Sequence, residues 1–88
     1  MEIFFTERFK KDYKLFSDDI KKTIKAKLKI LSENPYHPSL GTKKIKGKED
    51  IFETSINMSI RMTWNYYEGK ILLRTIEEHD RTIKNLKF

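Results

Sequence analysis

At 88 residues the chain has room for one modest core, and with no cysteine it must hold that core without disulfides or thiolate metal sites. Lys and Arg number 19 against 13 Asp and Glu, and the net charge of +6 favours RNA, DNA or acidic protein partners without choosing among them. The 2 histidines argue against a zinc site, no apolar run reaches membrane-spanning length, and residues 1–16 mix charge with aromatics unlike a signal peptide, so a cytoplasmic protein without metal or cofactor is expected.

Glu2-Ile3-Phe4-Phe5 reads as an opening strand, ended by Thr6, which then serves as an N-cap with Glu7 in the first helical turn. Phe9, Tyr13 and Phe16 recur at helical spacing and predict a helix over 7–16 with an aromatic stripe. Ser17-Asp18-Asp19 repeats the start signal. The second helix should bury Ile20, Ile24, Leu28 and Leu31, with Lys21, Lys22, Lys25 and Lys29 in solvent, until Asn34-Pro35 stops it. Pro35-Tyr36-His37-Pro38 is an extended connector.

From there the period changes to two. Thr42 to Lys46 reads as a strand, Gly47-Lys48-Glu49-Asp50 as its turn, and Ile51 to Ile56 as the next strand, broken by Asn57. Ile60, Met62, Trp64 and Tyr66 form an apolar face with Arg61, Thr63 and Asn65 opposite. Glu68-Gly69 is a hairpin turn, and Lys70 to Glu77 the last strand. The fold class is α+β in one domain spanning 1–88. Its order, β-α-α-β-β-β-β, implies a mostly antiparallel twisted sheet with both N-terminal helices packed on one face and the other face open.

Several polar residues exceed what packing needs. Alternation aims Arg61 at the open face, where its planar fork of donors suits a phosphate; a cross-strand ion pair with Glu53 is the structural alternative. Strict alternation groups Arg74 with Leu72 and Ile76, which leaves a ligand contact and a paired sheet charge evenly matched. His79, between Glu78 and Asp80 at the end of the last strand, carries the side chain best suited to move a proton near neutrality. Lys43, Lys44, Lys46 and Lys48 form a basic run that either guards an edge strand or meets backbone phosphates. Tyr66, Tyr67 and Phe52 offer stacking surfaces for unpaired bases, although core packing explains Phe52 and Trp64. His37, between two prolines, reads as turn support.

The order of FKKDYKLF, NPYHPSL, KKIKGKEDIFE, SIRMTW and ILLRTIEEHD resembles the RelE/ParE toxin superfamily over nearly the whole chain, YoeB- and YafQ-like members included. The resemblance implies a type II toxin–antitoxin toxin: a metal-independent endoribonuclease that cleaves mRNA on the ribosome, inhibits translation and is neutralised by a cognate antitoxin. By the same resemblance Arg61 stabilises the phosphate, His79 is the general acid or base, and Lys44 or Lys46 supplies further cations. Lys43, Lys48 and Arg74 complete the expected RNA contacts. The C-terminal tyrosine of some members has no counterpart here, and no second base stands out beyond Glu53 and His37. The ParE branch, which inhibits DNA gyrase by binding, is the alternative.

Overall fold

The computed structural model describes residues 1–47 and 50–78. Its first turning point is Thr6, which ends strand β1 (Ile3–Phe5) and starts helix α1 (Glu7–Lys14). The Thr6 hydroxyl oxygen accepts the Phe9 N–H at 3.1 Å, as an N-cap should, and its proton goes to the carbonyls of Leu73 and Arg74 at 2.9 and 3.1 Å. One side chain therefore fixes the helix start against the last strand.

Ser17 does the same for helix α2 (Asp18–Glu33), accepting the Ile20 N–H at 3.3 Å. Helix α1 ends at Lys14, short of the expected residue 16, because Leu15 already caps it and Ser17 begins the next helix. Both helices lie on one face of the sheet. Phe9 from α1 and Ile24 and Leu31 from α2 are buried with Met62, Trp64 and Leu73. Fully burying a side chain of that size contributes ~1.5–3 kcal/mol, so this layer contact is the main force holding helices to sheet. Asp12 adds a polar tie: it accepts the Ile76 N–H at 3.0 Å, a strand donor beyond the end of β1, and pairs with Arg8 at 2.9 Å.

A 3-10 turn (Pro38–Leu40) leads into strands β2 (Lys43–Lys44), β3 (Phe52–Ser55), β4 (Ile60–Tyr67) and β5 (Lys70–Glu78). Strand β2 is shorter than the expected Thr42–Lys46, although the Ile45 N–H still reaches the Ile51 carbonyl at 2.8 Å. The sheet order is β1-β5-β4-β3-β2, antiparallel except where β1 pairs parallel with β5. Glu68 and Gly69 both take positive φ, 50° and 75°, which gives the β4–β5 hairpin a tight turn matched to strand twist.

Strict alternation fails in β5. Thr63 pairs with Thr75 but Trp64 pairs with Leu73, so Arg74 is the extra residue of a β-bulge. Ile76 consequently returns to the core beside Leu73, and Arg74 is exposed on the opposite side. The expected grouping of Arg74 with Ile76 is thereby corrected.

A hydroxyl chain crosses the far end of the core. The Trp64 indole N–H donates to Thr54 Oγ1 at 2.9 Å; Thr54 and Thr42 hydroxyls are 3.0 Å apart; and Thr42 donates to the Pro35 carbonyl at 2.6 Å. The connector after α2 is thus pinned to β3 and β4.

Candidate active site on the open sheet face

The face away from the helices carries two cross-strand rows. Register places Lys43, Glu53, Thr63 and Thr75 in one, and Ser55, Arg61 and Glu77 in the next. The first is knit by contact: Lys43 Nζ lies 3.8 Å from Glu53, and the Thr63 and Thr75 hydroxyls are 2.7 Å apart. Thr75 also donates to Glu77 Oε2 at 3.0 Å, which joins the rows.

Arg61 projects onto this face, as alternation predicts. Its position is set by the β3–β4 loop, which Asn57 builds by accepting the N–H groups of Ser59 and Ile60 at 2.9 and 2.8 Å. The backbone carbonyl of Asn57 then receives Arg61 Nη1 at 2.8 Å, with longer contacts to Ser55 Oγ at 3.3 Å and the Ile60 carbonyl at 3.4 Å. Among the described residues, no hydrogen bond uses Nη2 or Nε, and no carboxylate forms an ion pair with this guanidinium. The expected alternative partner, Glu53, is across from Thr63 and engaged by Lys43. Arg61 is thus oriented at one nitrogen, with its charge not neutralised by any described carboxylate.

The bulge puts Arg74 on the same face. It is exposed and donates to Asn65 Oδ1 at 3.1 Å, with no acidic partner among the described residues. The lysine run divides. Lys43 points to the open face with Glu53, whereas Lys44 pairs with Phe52 and points to the helix side of the sheet edge. Lys46 is exposed beyond β2. Lys48 and His79 lie outside the described residues. His37 is a turn residue, its Nδ1 accepting the Ser39 N–H at 3.1 Å.

Sequence reasoning placed Thr63 on the face of Arg61 but missed Glu77 and Thr75 as its neighbours. Alternation of Thr75 and Glu77 along β5 was the available signal, but the bulge hides which residues of that strand face which way. No cluster of His, Cys, Asp and Glu suited to a metal occurs among the described residues, and no helix there is long and apolar enough to cross a membrane. Chemically the face offers a guanidinium with donors that no described residue takes up, further cations and two carboxylates, which suits binding a phosphodiester and moving protons beside it.

No family model matches the sequence, and no curated protein matches it either. Solved structures do. YoeB from a Staphylococcus aureus dimer is 23% identical, covers 90% of this chain and 97% of its own, and superposes with a TM-score of 0.75. The RelB–RelE antitoxin–toxin complex from Methanococcus jannaschii gives 21% identity, 94% and 98% coverage, and a TM-score of 0.72. YafQ from Escherichia coli gives 13% identity, 92% and 96% coverage, and a TM-score of 0.75. The chain therefore has the fold of the RelE/ParE toxins.

Proposed function

We propose that this chain is the toxin of a type II toxin–antitoxin pair and an endoribonuclease that cleaves mRNA on the ribosome. The observation that carries the reading is Arg61: a guanidinium on the open face of a RelE-type sheet, oriented through Nη1 and free of any described carboxylate. Cleavage by the RNA's own 2′-hydroxyl needs that hydroxyl deprotonated, negative charge on the pentacoordinate phosphate stabilised, and the departing 5′-oxygen protonated. Arg61 meets the second need. Arg74, Lys43, Lys44, Lys46 and Lys48 hold the strand through its phosphates. His79, which follows Glu78 in the sequence, supplies or takes the proton.

A cognate antitoxin is the expected protein partner, as RelE and YoeB have been solved in complexes with RelB and YefM. A groove of about 600 Å³ between α1 and α2 suits such a partner. Phe5, Phe9, Tyr13 and Leu28 line it, and Lys11, Lys14, Lys21 and Lys25 surround them. An acidic amphipathic segment complements both the apolar floor and the basic rim.

The deciding experiment is inducible expression in a bacterial host with primer extension on cellular mRNA, comparing wild type with Arg61→Ala and His79→Ala. Growth arrest with mRNA cut, lost in both variants, supports the reading. Arrest with intact mRNA would sink it and favour gyrase inhibition; cleavage that survives both substitutions would remove these residues from the site.

A further inference from the structure

An aromatic step emerges where α2 ends, at the edge carrying the β2–β3 lysines and on the side of the sheet away from Arg61. Phe52 is its centre. Trp64 stacks on Phe52 with ring centroids 4.7 Å apart and planes 18° from parallel. Tyr36 and Tyr66 stand nearly perpendicular to Phe52, at 6.4 and 5.7 Å and at angles of 85° and 76°.

Phe52 and Trp64 are buried, but Tyr36 is 58% exposed and Tyr66 40%. These rings are held, not floppy. Tyr36 follows the Pro35 carbonyl that Thr42 grips at 2.6 Å, and its own N–H is taken by Asn34 Oδ1 at 3.1 Å. A small core does not need a tyrosine presented to solvent on a pinned connector.

The charges beside the step are cationic. Lys44 is the register partner of Phe52 and so lies on the same side of the sheet, with Lys46 two positions on. Both are exposed, and neither forms an ion pair with a described residue. Rigid exposed rings next to cations without an ion pair among the described residues match the repeating unit of a single strand, in which each unstacked base comes with a phosphate. A protein surface would supply apolar area or carboxylates without needing that alternation.

We infer that the Tyr36–Phe52–Tyr66 step, with Lys44 and Lys46 beside it, binds an unpaired nucleobase of single-stranded RNA and its adjoining phosphate. The choice of RNA rests on the ribonuclease reading. The site is distinct from the Arg61 face: Lys43 and Lys44 point to opposite sides of β2, so one strand bending around this edge meets both. It takes a nucleotide flanking the bond that is cut, not the scissile step itself.

Trp64 is the only tryptophan, stacked on Phe52 and 5.2 Å from Tyr66, so its fluorescence reports occupancy directly. The probe is a short single-stranded RNA methylated at every 2′-oxygen, which cannot be cleaved because its nucleophile is blocked. Wild type should give a saturable fluorescence change. Tyr36→Ala should weaken binding about 5- to 150-fold, the range for losing one base–aromatic stack. Tyr36→Phe should retain it, because the ring remains, and Lys44→Ala should lower the salt slope by about 0.7.

Unchanged affinity in Tyr36→Ala, with its thermal melt also unchanged, would overturn the inference. So would a blunt RNA duplex bound as tightly as the single strand. Because the probe cannot be cut, a wild-type protein that binds it through Tyr36 but leaves mRNA intact refutes only the nuclease. A protein that cuts mRNA but shows no Tyr36-dependent binding refutes only the stacking site.

Discussion

Arg61 stands directly across the β4–β5 ladder from Glu77, yet its guanidinium turns to the Asn57 carbonyl at 2.8 Å and forms no ion pair with that carboxylate. Opposite charges at paired strand positions ordinarily reward a cross-strand contact. Here the β3–β4 loop competes for the same side chain, and Thr75 engages Glu77 at 3.0 Å. The result is a cation and a carboxylate side by side with neither quenching the other.

Removing that cation should therefore affect catalysis more than folding. Arg61→Ala is expected to lower the rate of RNA cleavage by about 100- to 1,000-fold, the usual loss when one preorganised charge-stabilising donor is deleted. Arg61→Lys should not restore it, since an ammonium cannot hold Asn57 with one donor and offer the phosphate a fork. Single-turnover cleavage of a short RNA, with circular dichroism as the folding control, measures this. A lysine variant at wild-type rate would mean that charge alone suffices.

Thr54→Val tests the hydroxyl chain. Valine keeps the volume but strands the Trp64 N–H, and Trp64 is fully buried. Leaving a buried donor unmade costs about 1–3 kcal/mol. At roughly 4–8 °C per kcal/mol for a domain of this size, the melting temperature should fall by at least several degrees, and Thr54→Ser should recover most of it. Equal melting of Val and Ser variants would show that the indole has found another acceptor.

Local signals in the sequence were read well and cooperative ones were not. Thr6 and Ser17 announce helix starts because a cap is chemistry within one turn of chain, and both cap as expected. The orientation of Arg61 was legible because its side of β4 alternates with Ile60, Met62 and Trp64. In β5 the spacing of Leu73 and Ile76, three apart, already hinted that two residues share one place, but only pairing with Thr63 and Trp64 shows where the bulge falls. The lysines failed differently. A run of like charge reads as one patch, whereas even a two-residue strand sends Lys43 and Lys44 to opposite sides. Tyr36 gave no periodic signal at all, since its place comes from Thr42 and Asn34 holding a connector.

Tyr66 should titrate late. Burial raises its pKa above the ordinary 10.0, and the Tyr36 phenol beside it adds to the shift. A phenol whose folded pKa exceeds its unfolded one keeps its proton longer in the folded state. Its contribution to stability is fully present below the unfolded pKa and is lost as pH rises through the folded value. Phenolate absorbance should show an ionisation displaced above 10.0 that Tyr66→Phe removes, and Tyr36→Phe should move it back towards 10.0 without erasing the effect of burial. No change in Tyr36→Phe would mean that the two phenols do not interact.

If the groove between α1 and α2 is the antitoxin site proposed above, two contributions to binding should be separable there that one variant cannot distinguish. Its lysine rim acts at a distance, so Lys14→Glu with Lys25→Glu should slow association by about tenfold or more and flatten the salt dependence, while dissociation changes little. Its apolar floor acts only on contact, so Tyr13→Ala should instead speed dissociation. Lys21 sits 5.5 Å from the Tyr13 ring, so that substitution also frees a cation and leaves association intact. None of these residues is on the Arg61 face, so the rate of RNA cleavage by the free protein at saturating RNA should be unaffected by all three substitutions. Surface-immobilised toxin and purified antitoxin give both rate constants at several salt concentrations. Rim reversals that leave association at the wild-type rate would move the antitoxin to another surface, whatever the fit of the groove in shape.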